Sequence, residues 1–184
     1  MNSPQTDNTH LQAKIKLRMA HLPDKPLIRV LDAFHGEGLI WDYIKARISK
    51  KTEITAIDKK PASSDFVLFG DNKKFFPSIS LEKFDVIDLD AYGVPFDQLE
   101  YIFDYDHRKK IHHKIFLTFI QSIYGRLPIG MLQRLGYSEK MVKKIPVLFD
   151  RNGIEKLKAY LAQMGISKIF MKNRGKKYYI FFET

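Results

Sequence analysis

Residues 30–38, Val-Leu-Asp-Ala-Phe-His-Gly-Glu-Gly, constrain this chain more than any other stretch. The apolar run from Leu27 to Phe34 predicts a buried strand that ends in an acid and passes directly into a Gly-x-Gly turn. Leu39 to Ile48 follows with helical apolar spacing. A strand–glycine turn–helix unit lets a ligand approach the backbone closely, because glycine lacks a side chain and tolerates φ > 0. A dinucleotide fingerprint requires a third glycine for close helix–strand packing. Here Gly36-Glu37-Gly38-Leu39-Ile40 runs into Trp41, and no G-x-x-x-x-G-K-[ST] sequence occurs. Asp32 stands where a pyrophosphate would meet its charge unfavourably and a cationic ligand favourably. The plain alternative is that Asp32 caps the next helix and the glycines only make a turn.

Two further strands predict the same arrangement. Glu53 to Asp58 ends in an acid twenty residues after Gly38, placed to take both hydroxyls of a ribose. Phe66 to Phe69 is followed by Gly70-Asp71. Ligands of open α/β sheets bind outside the carboxyl ends of the strands, so Asp32, Asp58 and Asp71 would face one crevice. Each acid, taken alone, is equally an ordinary turn residue. A fourth apolar strand carries a dense acidic end and an aromatic-glycine turn, Asp85-Val-Ile-Asp88-Leu-Asp90-Ala91-Tyr92-Gly93-Val94-Pro95.

The D-x-F-x-G-x-G block, Asp32, Phe34, Gly36 and Gly38, resembles the first motif of class I S-adenosylmethionine (SAM) methyltransferases. That resemblance implies that these residues hold the amino-acid end of SAM, Asp58 the ribose and Asp71 the adenine amine, with Asp88 also on the cofactor side. The fourth-strand block resembles the Asp-Pro-aromatic motif of amino-group methyltransferases, and most nearly that of the tRNA guanine-N2 dimethyltransferases. By that likeness Asp90 and the backbone carbonyl of Ala91 would accept from the target amine, and Tyr92 would stack on the base. Ala91 stands where the family has proline, which leaves a less rigid turn. The likeness to the general SAM pattern runs from Leu27 to the C-terminus, whereas that to the tRNA family is confined to the fourth-strand block.

The remainder of the chain predicts a helix over Phe96–Tyr105, a basic turn at Arg108–Lys110 and a fifth strand over His113–Ile120. A helix from Asn152 to Met164, closed by Gly165, precedes strands at Ile166–Lys172 and Lys177–Glu183. Their link, Asn173-Arg174-Gly175-Lys176, suggests a bulged hairpin. Five β/α units followed by a helix and a hairpin resemble the class I methyltransferase arrangement, which implies an α/β, Rossmann-like fold: a mostly parallel seven-stranded sheet in the order 3-2-1-4-5-7-6, ending in an antiparallel hairpin. Residues 27–184 are expected to form one domain. Residues 1–26 would be a flexible tail with a short basic helix at Leu11–Leu22, able to cover the cofactor or touch nucleic acid.

Charge bears on the acceptor. The formal net charge is +10, and its placement is uneven. Residues 1–92 carry 14 Lys and Arg against 13 Asp and Glu, whereas residues 93–184 carry 17 against 8. Clustered cations favour phosphate backbones. Residues 121–150 break the regular rhythm and carry Tyr124, Arg126, Arg134, Tyr137, Lys140, Lys143 and Lys144, a mixture able to grip phosphates and stack bases. A short helix is expected there around Met131–Leu135, followed by the basic stretch Lys140–Lys144. The expected activity is methyl transfer to an exocyclic amine of a nucleic-acid base, RNA before DNA. The alternatives are a protein or small-molecule acceptor, or a non-catalytic nucleic-acid-binding module of the same fold. The chain has no cysteine, no apolar N-terminal segment and no run long enough to span a membrane. The expectation is a cytoplasmic protein without a metal, with a protein partner or self-association left open.

Overall fold

The computed structural model of the chain describes residues 10–59, 67–120 and 126–184. Seven strands form one sheet: β1 (Leu27–Asp32), β2 (Lys51–Asp58), β3 (Val67–Phe69), β4 (Val86–Leu89), β5 (Lys114–Ile120), β6 (Phe170–Arg174) and β7 (Lys177–Glu183). Their order is β3-β2-β1-β4-β5-β7-β6. Strands β1 to β5 are parallel, and β7 inserts antiparallel between β5 and β6. This is the topology expected from the sequence. The helices are α1 (Leu11–His21), α2 (Leu39–Lys45), α3 (Asn72–Phe75), α4 (Phe96–Lys109), α5 (Ile129–Arg134), α6 (Glu139–Lys144), α7 (Pro146–Asp150) and α8 (Gly153–Gln163).

Alternation along the strands builds two cores, one on each face of the sheet. Leu31, Ile57, Ile87, Leu89, Ile115, Leu117, Ile180 and Phe182 meet Leu99, Ile102, Met131, Leu157 and Tyr160 from α4, α5 and α8. On the other face Ile28, Val30, Val86, Phe116, Tyr179 and Phe181 meet Ile15 and Leu17 of α1 and Trp41 and Ile44 of α2. Helix α1 is thus part of the folded layer, packed on α2 and β7.

Element ends depart from the expectation for local reasons. Strand β1 stops at Asp32, not Phe34, because the chain then crosses the sheet end: the Ala33 N–H donates to the Asp88 carbonyl and the His35 N–H to the Ile57 carbonyl. The Arg108–Lys110 turn is mostly the last turn of α4, which stops where Lys110 enters the left-handed region at φ 55°. Asn152 precedes α8 at φ 53° and makes no side-chain cap. The final hairpin closes on a two-residue loop, with Arg174 paired directly to Lys177 and Gly175 at φ 70°, in place of a bulge. Residues 126–150 hold three short helices, of which α6 and α7 were not expected. Among the described residues, no helix is long and apolar enough to cross a membrane.

Candidate active site

The carboxyl ends of β1, β2 and β4 bring Asp32, Asp58, Asp88 and Asp90 to one side of the sheet. Asp32 is 4 % exposed. One oxygen accepts from the Phe34 N–H at 3.4 Å, and the other meets His35 Nδ1 at 2.9 Å. That bond to Asp32 raises the pKa of His35, against the opposing effect of burial. The Gly36 N–H donates to Asp58 Oδ2 at 2.7 Å, which ties the glycine loop to the end of β2. Gly36 and Gly38 both have positive φ, 59° and 74°. A Cβ on Gly38 would sit 2.7 Å from His35 Nε2, so the glycine is required by space as well as by conformation. Acid, histidine and glycines thus form one braced loop.

Asp71 lies farther out, after β3. It caps α3 by accepting from the Lys73 N–H at 3.1 Å. Asn72, beside it, is buried and donates to the Ala33 carbonyl at 3.0 Å while accepting from Gln98 at 2.7 Å. This strut joins the end of β1 to α4.

The structure corrects the expectation for Asp88. Its side chain is 1 % exposed, and both oxygens accept from Arg18 of α1 at 2.6 Å. Oδ2 also accepts from Trp41 Nε1 at 2.9 Å. Trp41 therefore fills the place where a dinucleotide fold would have its third glycine. Burial pushes the Asp88 carboxyl up to about 6, with the Arg18 guanidinium opposing the rise. Burial alone would lower the pKa of Arg18, but Asp88 more than offsets this and holds it above its ordinary value. At neutral pH the pair is ionised and serves to anchor α1, leaving Asp88 no face toward a ligand.

Asp90 lies at the edge of the same cluster, with 12 % of its side chain exposed. Lys14 Nζ of α1 donates to Oδ2 at 2.7 Å, and the Thr118 hydroxyl donates to Oδ1. A carboxylate has about four lone-pair sites, so acceptor capacity remains. Ala91 is buried, whereas Tyr92 is 73 % exposed and offers its ring to solvent beside Asp90. The Ile120 N–H donates to the Gly93 carbonyl at 3.4 Å, which fixes this turn to the end of β5.

Of the residues expected to bind substrate, Tyr124 lies outside the described residues. Arg126, Lys140, Lys143 and Lys144 are all exposed. Lys143 pairs with Glu139 at 2.6 Å within α6. Helix α6 packs mainly on α5 and α7. The sequence reading missed Lys14, Arg18 and His35. The usable signal for the first two was their place within the apolar stripe of α1.

No protein-family model matches the sequence, and no curated protein matches it. Solved structures do resemble it. A SAM-dependent methyltransferase from Archaeoglobus fulgidus shares 12% identity with a TM-score of 0.59, covering 97% of this chain and 95% of that one. A protein assigned as a ribosomal RNA methyltransferase from Plasmodium falciparum shares 13% identity with a TM-score of 0.52, covering 98% of both chains. The precorrin-6y C5,15-methyltransferase of Geobacter metallireducens GS-15 shares 13% identity with a TM-score of 0.50, covering 100% of this chain and 91% of that one. At these identities the likeness speaks to architecture, and it agrees with the strand order: the chain has the fold of the class I SAM-dependent methyltransferases.

Proposed function

We propose that the protein is a SAM-dependent methyltransferase whose acceptor is an amino group, with an exocyclic amine of a nucleic-acid base as the favoured target. The observation that carries this reading is the convergence, at the carboxyl ends of β1, β2 and β4, of a braced glycine loop with an acid–aromatic pair. SAM supplies an activated sulfonium methyl. Gly36 and Gly38 give the backbone room for its amino-acid end, with Asp32 beneath them. Asp58 faces the ribose from the end of β2, and Asp71 the adenine from beyond β3.

Asp90 uses its remaining lone pairs to accept an N–H of the acceptor and turn its nitrogen toward the methyl, while Tyr92 stacks on the planar ring that carries the amine. Catalysis of this kind rests on proximity and orientation. A strong base is unnecessary, because the protonated aromatic amine formed by transfer is acidic. The excess of cations after residue 92 supports a polyanionic acceptor over a neutral one.

A second reading, a non-catalytic module of the same fold, draws on Lys14 and Thr118, which already engage both oxygens of Asp90. Isothermal titration with SAM and with its demethylated product separates the two readings, with Asp32→Ala as the control. Saturable binding lost in a folded Asp32→Ala variant supports the enzyme, and a labelled-methyl screen over tRNA, rRNA, DNA and protein then identifies the acceptor. A folded wild-type protein that binds neither compound refutes the catalytic reading.

A further inference from the structure

The β6–β7 hairpin carries a surface that the site described above does not use. Residues directly paired across the sheet share a face. Phe170 pairs with Phe181, Lys172 with Tyr179 and Arg174 with Lys177, so Phe170, Lys172 and Arg174 stand on the α1 side, the side of Asp90. Two transverse rows join this edge to the site. In one, Lys172 pairs with Tyr179, Tyr179 with Thr118, and the Thr118 hydroxyl donates to Asp90, but Tyr179 and Thr118 are buried beneath α1, so this row is a structural link and no surface path. In the other, Arg174 pairs with Lys177 and Lys177 with Ile120, whose N–H donates to Gly93 next to Tyr92. Three strand spacings separate β6 from β4, about 14 Å.

The chemistry of this edge is cationic and aromatic. Residues 168–183 contain Lys168, Lys172, Arg174, Lys176 and Lys177 against one acid, Glu183, which pairs with Lys114. Among the described residues Lys172, Arg174 and Lys176 form no ion pair. Lys172 is felt locally: His21 has a lowered pKa, first through burial, then through the charge of Lys114, with Glu183 opposing and Lys172 adding a weaker lowering. His21 stacks on Phe181 with ring centroids 4.1 Å apart and lies 4.5 Å from Phe170. Phe170 is 50 % exposed. Lysines on an edge strand commonly guard against sheet-to-sheet pairing. A half-exposed phenylalanine among them works against that purpose, whereas cations beside an open aromatic face suit single-stranded nucleic acid. Helix α6 suits it less, since it sets Lys140 and Lys144 around exposed Met141 and Ile145, aliphatic groups that offer no stacking face.

We infer that the α1-facing side of the β6–β7 hairpin is the docking track for a single-stranded nucleic acid. Phe170 stacks a base, Lys172, Arg174 and Lys176 hold successive phosphates, and the strand is thereby led past the end of α1 along the half-buried row of Lys177 and Ile120 toward Tyr92. This inference rests on the nucleic-acid reading of the acceptor and adds the surface that would bind it.

The test is fluorescence anisotropy with a labelled single-stranded RNA of about 12 nucleotides, at salt from about 50 to 200 mM. The variants are the triple Lys172→Glu, Arg174→Glu, Lys176→Glu, the single Phe170→Ala, and the triple Lys140→Glu, Lys143→Glu, Lys144→Glu on the rival surface. All positions are exposed or half-buried, and thermal melts verify folding. Three lost phosphate contacts flatten the slope of log affinity against log salt by about 2, at about 0.7 per contact, and weaken binding at about 0.1 M salt tenfold or more. Phe170→Ala weakens binding about tenfold with the salt slope intact. A hairpin triple that binds as wild type while the α6 triple loses binding overturns the track but leaves the nucleic-acid reading standing. Wild-type protein that binds SAM but no RNA at the lowest salt overturns both.

Discussion

Arg18→Met tests whether α1 is held by charge. Both side chains of the Arg18–Asp88 pair are 1 % exposed, and the carboxylate accepts two guanidinium bonds and one indole bond. Removing the guanidinium leaves a buried carboxylate that accepts from the Trp41 indole N–H. Breaking a buried pair from one side costs about 3–5 kcal/mol, because the surviving charge stays desolvated. For a chain of this length each kcal/mol moves the melting temperature by roughly 2–4 °C, so Arg18→Met should melt roughly 6–20 °C lower. In the double variant Arg18→Met, Asp88→Leu no charge is stranded. What remains is the orphaned Trp41 N–H, worth about 1–3 kcal/mol. The double variant should therefore be more stable than Arg18→Met by about 2 kcal/mol. Urea unfolding followed by circular dichroism and by fluorescence reads this directly, since Trp41 is the only tryptophan and bonds to Asp88 itself. An Arg18→Met protein within about 1 kcal/mol of wild type, or a double variant less stable than the single, refutes the reasoning.

Other expectations follow from the site. Gly38→Ala forces a side chain into positive φ and against His35, so it should cost about 1–3 kcal/mol and weaken SAM binding in the same titration. The pKa of His35, raised above 6.5 by its bond to Asp32, should fall in Asp32→Asn when followed by NMR. Because the folded value is the higher, this contact stabilises the protein fully below pH 6.5, and its contribution is lost as pH rises through the folded value; Asp32→Asn should abolish that dependence in urea titrations across the window. The lowered pKa of His21 should rise in Lys172→Gln, also by NMR, and an unchanged value would show that Lys172 does not face it. Asp90→Ala should leave SAM affinity intact and lower methyl transfer about a hundredfold, the scale of losing the acceptor's alignment. Equal loss of both would assign Asp90 to the cofactor instead.

What the sequence disclosed and what it hid have a common physical origin. The strands were legible from their apolar residues and the sheet order from the resemblance to the class I methyltransferases, with β1, β2 and β4 closing on the acids Asp32, Asp58 and Asp90 at the edge where a ligand can reach them. The same logic misplaced Asp88, an acid that reads as another strand-end carboxylate but sits within β4 on a covered face. A carboxylate there demands a buried cation, and α1 supplies it. In Leu11–His21 the residues Leu11, Lys14, Ile15 and Arg18 fall on one helical face, so two cations occupy the stripe that packs inward. Counted only as charges, they made α1 look like a surface helix. Their spacing carried the missing information: four residues along a helix rise about 6 Å, and two along a strand about 6.6 Å. Lys14 and Arg18 therefore match Asp90 and Asp88 as rungs of one ladder, with the helix running antiparallel to β4. One rung is sealed and holds the helix, while the other remains partly open at the site. The acid that anchors the structure and the acid offered to the acceptor are thus alternate residues of one strand, told apart by how far α1 reaches over them.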